Sequence, residues 1–184
     1  MEPALEEAFA AFVRERGGYF MRLAVLLAGT PPEAEDLLQA SLVRLYQAWP
    51  RLDVTDGVPD AYLRKILVNT RRSWWRSRWR QETPVAAVPD AADPARDGSD
   101  HADRYALGAL VREALAALPR QQRAVLVLRY FEDLPEASIA EILGCSAGTV
   151  KTHAHRGLRA LRARLGDLES FRVNGTARPE GERK

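Results

Sequence analysis

Apolar residues recur at three- and four-residue steps through most of the chain, and residues 1–80 show no strand-like alternation. The pattern predicts an all-α protein. Leu5, Phe9, Phe12 and Val13 line a first helix expected to stop at Gly17-Gly18, and a second should run from Tyr19 to Ala28 and end at Gly29. Thr30-Pro31-Pro32-Glu33 then reads as a capping box, in which hydroxyl and carboxylate each satisfy an exposed helix-end donor. The helix it opens turns Ala34, Leu37, Leu38, Leu42, Leu45 and Trp49 inward until Pro50. A loop at 51–59 carries Asp56-Gly57 and Pro59. Beyond it a helix from Asp60 to Arg80 sets Leu63, Ile66, Leu67, Thr70 and Trp74 on one side.

The periodicity vanishes from Glu82 to Asp103 and then returns. Leu107, Leu110, Val111, Ala114, Leu115 and Leu118 form a helix ending before Pro119, and Arg120 to Phe131 forms another that holds Val125, Leu126, Leu128 and Phe131. The stretch Leu134 to Leu165, LPEASIAEILGCSAGTVKTHAHRGLRALRARL, is the most informative. Pro135 sits in a first helical turn, Gly144 is placed for the left-handed conformation that ends a helix, and Ser146 can cap the next one. That is a helix-turn-helix signature. Val150, Ala154, Leu158, Leu161 and Leu165 share one face of the second helix and should be buried. Thr149, Thr152, His155, Arg156 and Arg159 share the other. After Gly166 the period is lost again, so residues 167–184 are expected to be a disordered tail. The expected layout is therefore two small helical domains, 1–80 and 104–166, joined by a linker at 81–103.

Charge changes the picture of three segments. From Ala147 to Leu165 there are five Lys or Arg, two His and no acid. Such a helix suits a major groove, with short polar side chains for base edges at its start and cations for phosphate beside and beyond them. Ser146, Thr149, Lys151, Thr152, His155, Arg156 and Arg159 are the candidates; the bland alternative is a solvated amphipathic face. RRSWWRSRWR at 71–80 holds five arginines and three tryptophans without an acid. One helical stripe cannot bury three indoles, so Trp75 and Trp79 should point away from the core beside Asn69, Arg72 and Arg76. There they can stack on unpaired bases while the cations hold the backbone. A membrane-interface segment competes with this reading, but no apolar face continues past Trp74. The linker has six acids against Arg96 alone, opposite in sign to both basic helices, and is expected to be flexible.

Composition bounds the rest. At 184 residues and 46% apolar the chain can pack one ordinary domain or two small ones, and its net charge is only +2. A single cysteine, Cys145, excludes an internal disulfide and a multi-cysteine zinc site. Its position in the helix-turn-helix turn suits a small apolar packing role. Glu2, Glu6 and Glu7 precede any apolar run, unlike a secretory signal, and Leu23 to Ala28 is too short to span a bilayer, so a cytoplasmic protein with no membrane insertion is expected. Enzymatic function is not supported. His101 sits in the linker, His153 and His155 diverge on a helix, and there is no metal-ligand spacing, phosphate-cradling glycine loop or nucleophile arrangement. No cofactor is expected.

Two helical modules, the first Arg/Trp-rich and the second a helix-turn-helix, resemble a bacterial RNA polymerase sigma-70 family factor of the small extracytoplasmic-function (ECF) type, actinobacterial sigma-E-like group. PPEAEDLLQASLVRLYQAW, AYLRKILVNTRRSWWR, LPRQQRAVLVLRYFEDLPEASIAEILGCSAGTVKTHAHRGLRALR and the length of the gap between modules carry the resemblance over residues 5–166. It implies that the helix with Glu35, Asp36, Leu37 and Gln39 docks on the clamp helices of the polymerase beta-prime subunit. It implies that the loop at 51–59 and the helix with Asn69, Arg72, Trp75, Arg76 and Trp79 open the minus-ten element and hold its bases. The second module would read the minus-thirty-five element of promoter DNA and bind the beta flap, and an anti-sigma factor masking both modules becomes an expected partner. Ala40 and Ser41 depart from the family pattern, which commonly has an acid just after the position of Gln39, so the clamp contact is expected to differ in detail. GTVKTH is also similar to LuxR-type helix-turn-helix proteins, which leaves a stand-alone transcriptional regulator as the alternative. No receiver-like alternation of strand and helix precedes it.

Overall fold

A computed structural model describes residues 3–53, 57–78 and 99–175. Every regular element among them is helical: α1 (Pro3–Ala28), α2 (Pro31–Ala48), a 3-10 turn (Trp49–Arg51), α3 (Val58–Arg78), α4 (Ser99–Ala116), α5 (Arg120–Leu126) continued by a π-helical turn (Val127–Phe131), α6 (Glu136–Leu143) and α7 (Ala147–Gly175). Helices α1, α2 and α3 pack together as a first module, and α4 to α7 as a second. Phe20, Leu23, Leu37, Leu45, Leu63 and Leu67 are fully buried in the first; Val125, Leu128, Ile139 and Val150 are fully buried in the second. Each such aliphatic or aromatic side chain contributes about 1.5–3 kcal/mol.

Several elements differ from the sequence expectation, each for an identifiable reason. One helix runs straight through Gly17-Gly18, because two glycines weaken a helix by only about 1 kcal/mol each and the faces on either side of them are held by tertiary packing. Thr30 caps α2 with its backbone alone and the capping box is not made. Glu33 faces Arg71 instead, 3.4 Å from its guanidinium. Phe131 is not a core residue. The i→i−5 bond from Glu132 N–H to the Val127 carbonyl (3.2 Å) widens the last turn of α5, rotates Phe131 outward to 40 % exposure, and stacks it on Tyr19 with centroids 6.0 Å apart. α4 begins at Ser99, inside the segment expected to be linker, and α7 continues past Gly166 to Gly175, into the expected tail. Nothing at Gly166 obliges the helix to stop: its φ lies outside the left-handed region and a Cβ there would meet open space. The linker between 79 and 98 and the tail from 176 lie outside the described residues.

The two modules are not splayed. Core residues of α1, α2 and α3 and those of α5, α6 and α7 form one continuous apolar cluster. The seam is also polar. Arg123 of α5 donates to the carbonyls of Leu27 (3.3 Å) and Ala28 (2.8 Å) at the end of α1, and to those of Ala116 and Leu118 at the end of α4. Arg71 of α3 reaches the same two α1 carbonyls. Burial, reinforced by the charges of Arg71 and Arg120 and opposed by Glu33, lowers the Arg123 pKa to about 10, so it stays cationic at neutral pH. A cation at a helix C-terminus complements the helix dipole.

Gly29 makes room for this arrangement. It ends α1 at φ +101°, and a Cβ there would lie 2.6 Å from Arg123 Nη1. We expect Gly29→Ala to lower the unfolding free energy in urea by about 1–3 kcal/mol, from backbone strain together with displacement of the guanidinium. Gly57→Ala, at φ +79° with open space around it, should lose about 1 kcal/mol from the backbone alone.

Candidate nucleic-acid interface

The helix-turn-helix forms as its residues dictate. Gly144 takes the left-handed conformation (φ 59°, ψ 46°), and its N–H bonds back to carbonyls of the last turn of α6. Ser146 Oγ accepts the Thr149 N–H at 3.1 Å and so caps α7. Val150 and Ala154 are buried beneath the helix, while Leu158, Leu161 and Leu165 are half-buried along the same line. Gly157, which periodicity did not single out, is buried as well. A Cβ there would come within 3.0 Å of Leu126, so its smallness lets α5 and α7 approach. Cys145 is half-buried and packs on the core.

On the outer side of α7, Lys151, Thr152, His155, Arg156 and Arg159 are exposed and Thr149 is half-exposed. The short hydroxyls are occupied within the protein: Ser146 and Thr149 lie 2.9 Å apart, and Thr152 donates to the Gly148 carbonyl at 2.9 Å. Lys151 lies 3.7 Å from Glu136, which also accepts from Arg129 at 2.7 Å. Arg156 and Arg159 are exposed on the same side, whereas Lys151 is screened by an acid at the start of α6. His153, by contrast, turns partly inward, and its Nδ1 is buried without a hydrogen-bond partner.

In α3, Asn69 is exposed while Thr70 is fully buried and accepts from Arg44 at 2.6 Å. Trp74 packs against the core. Positions 72, 75 and 76 lie on α3, but the side chains of Arg72, Trp75 and Arg76 are outside the described residues, as is Trp79 entirely. On α2, Glu35, Asp36 and Gln39 are exposed. Leu37 is not part of that surface. It is 0 % exposed, because its step along the helix places it with Ala34 and Leu38 against α1 and α3, and it supports the outer face from beneath. Sequence reasoning missed Val43 (58 % exposed) and Tyr46 (39 %), which continue the line of Asp36 and Gln39 at four- and three-residue steps. Tyr46 packs edge-on against Phe9 with ring centroids 5.1 Å apart, which leaves Val43 the more open of the two.

These features define a two-module helical DNA-binding protein whose second module presents a cationic recognition helix. Comparison with known proteins makes this specific. The sigma-70 region 2 family profile matches residues 12–81, and the sigma-70 region 4 profile matches residues 109–161. The chain is 40% identical to an RNA polymerase sigma-E factor of Streptomyces avermitilis, over 96% of this chain and 93% of that one. It is 31% identical to the ECF RNA polymerase sigma factor SigL of Mycobacterium tuberculosis, over 86% and 89%. In fold it resembles the sigma factor RpoE of Bartonella quintana, solved with the anti-sigma factor NepR, at TM-score 0.63 and 23% identity, covering 87% of this chain and 98% of that one. It also resembles CnrH, solved with the cytosolic domain of CnrY, at TM-score 0.56 and 22% identity, covering 88% and 90%. The chain belongs to the sigma-70 family, in its ECF branch. A region 2 match ahead of region 4 disfavours the stand-alone LuxR-type alternative. Among the described residues no helix is long and apolar enough to cross a membrane.

Loss of the α7 cap is a separable test of the recognition helix. Ser146→Ala should lower stability by about 0.5–2 kcal/mol, measured by urea unfolding followed through helical circular dichroism.

Proposed function

We propose that the chain serves as a promoter-specificity subunit of bacterial RNA polymerase, a DNA-recognition factor without catalysis of its own. The observation that carries this reading is the ordered pair of sigma-70 region matches, the second of them on a helix-turn-helix whose outer face exposes Lys151, Thr152, His155, Arg156 and Arg159. In the proposed mechanism the outer face of α2, with Glu35, Asp36 and Gln39 and now Val43 and Tyr46, docks on the beta-prime clamp helices. The second module binds the beta flap and lays α7 in the major groove of the minus-thirty-five element. Asn69, Arg72, Trp75, Arg76 and Trp79 take up the unpaired bases of the minus-ten element.

The energetics are consistent with those residue types. Opening the duplex forfeits about 1–2 kcal/mol of stacking per step, and an aromatic side chain returns about 1–3 kcal/mol per base stacked on it. Arg156, with two donors in a planar fork, suits a guanine edge, worth about 1–3 kcal/mol of discrimination. By family resemblance an anti-sigma factor is a further partner.

Adding the purified chain to core polymerase on a supercoiled genomic library should produce initiation at a defined set of promoters; transcripts indistinguishable from those of core alone would refute the proposal. On a promoter so recovered, Arg156→Ala should weaken upstream binding and relax base preference there, whereas a uniform loss on all sequences would make Arg156 a phosphate contact. Trp75→Ala should retain closed-complex binding and lose strand opening, read by permanganate reactivity of the minus-ten thymines.

A further inference from the structure

The helix-turn-helix begins with a carboxylate that the promoter-binding reading does not use. Glu136 is the first residue of α6, and Pro135 ahead of it brings no side-chain cap to the helix end. Its two oxygens face cations on two neighbouring elements. One accepts from Arg129 of the π-helical turn at 2.7 Å, and the other lies 3.7 Å from the Lys151 ammonium of α7. The Arg129 guanidinium also lies over the Tyr130 ring, 5.8 Å from its centroid. Arg129 is thus held twice and anchors the carboxylate, whereas the Lys151 side chain is 70% exposed and only loosely paired. Asp133 lines the same cleft as Arg129 and Glu136, which adds a second acid to this edge of the module.

An acid in this place works against the cations beside it. The first helix of a helix-turn-helix crosses the DNA backbone while the second enters the major groove. The beginning of α6 therefore borders phosphate when α7 faces base edges. α7 carries no acid of its own from Ala147 to Leu165, and Glu136 brings one to it from the neighbouring helix. A solvent-exposed pair is a weak tether. The effect is one of charge: a lysine cancelled by a fixed carboxylate releases no net counterion on reaching phosphate, and the acid is carried to the backbone with it.

We propose that Glu136, anchored by Arg129, cancels the charge of Lys151 and so limits the sequence-independent grip of the recognition module on DNA. The inference rests on the reading of α7 as a DNA-recognition helix. Phosphate neutralisation supplies essentially all of the affinity for arbitrary duplex, and base edges carry the sequence information. Cancelling one cation lowers the first and leaves the residues that face base edges untouched. Contacts such as that of Arg156 then make up a larger share of what holds the chain to DNA.

Full-length chain titrated into a fluorescent duplex of arbitrary sequence, with anisotropy read between about 50 and 200 mM salt, tests the proposal. Glu136→Gln should bind about five- to tenfold more tightly at about 0.1 M salt, and its plot of log affinity against log salt should be steeper by about 0.9, the value for one added phosphate contact. Adding Lys151→Gln to Glu136→Gln should remove the steepening. Glu113→Gln, the same charge change at an exposed acid of α4, should keep the wild-type slope. An unchanged slope in Glu136→Gln, a steepening that survives the loss of Lys151, or an equal steepening in Glu113→Gln would each overturn the proposal. Loss of helical circular dichroism in Glu136→Gln would also overturn it, by making Glu136 a residue that holds the fold. Absence of binding by every variant at about 50 mM salt would instead refute the DNA-recognition reading of α7 on which the proposal stands.

Discussion

Leu27 and Ala28 end α1 with carbonyls that no further helical turn can satisfy, and both modules are fastened to them. Arg71 approaches from within the first module and Arg123 from the second, and the two guanidiniums share the negative end of one helix dipole. Burial first, and then the repulsion of Arg71 and Arg120, lower the pKa of Arg123. Together the two side chains give both α1 carbonyls donors away from water. Arg123 also closes the end of α4, so one side chain ties together the last turns of helices that belong to different modules.

That fastening gives meaning to details that would otherwise be incidental. Gly29 must lack a side chain so that Arg123 can reach across. The π-helical turn at Val127–Phe131 rotates the end of α5 so that Glu132 meets Tyr19 and Arg64, while Phe131 lies flat on the Tyr19 ring instead of entering the core. A regular α-helical turn would have placed these groups differently. The buried ion cluster therefore depends on one extra residue in one turn.

The seam that joins the two modules combines an apolar cluster with buried charged groups. The outer side of α7 and Asn69 are exposed on the closed body. The apolar part of the seam gains stability by staying shut, whereas its charged groups can exchange their partners for water once separated.

The helical class, the positions of α2, α3 and α5, and the whole helix-turn-helix were legible in the sequence, because periodic apolar positions and the Gly144–Ser146 turn act over a few residues and need no distant partner. The outer face of α7 was legible for the same reason. The continuity of α1 across Gly17-Gly18, the fate of Glu33 and the burial of Leu37 were not, since each is settled by what packs or pairs against the residue. Val43 and Tyr46 could have been found by extending the Asp36 and Gln39 line, but a lone exposed valine carries little local signal. Least legible was the closure itself. Tyr19, Arg64 and Glu132 are ordinary polar residues at separations of 68 and 113 positions, and no local rule joins them. Local backbone and side-chain preferences determined what helices this chain makes and which face of α7 is cationic; only long-range burial, which removes water from a carboxylate and obliges it to find donors, decided that the two modules close on one another.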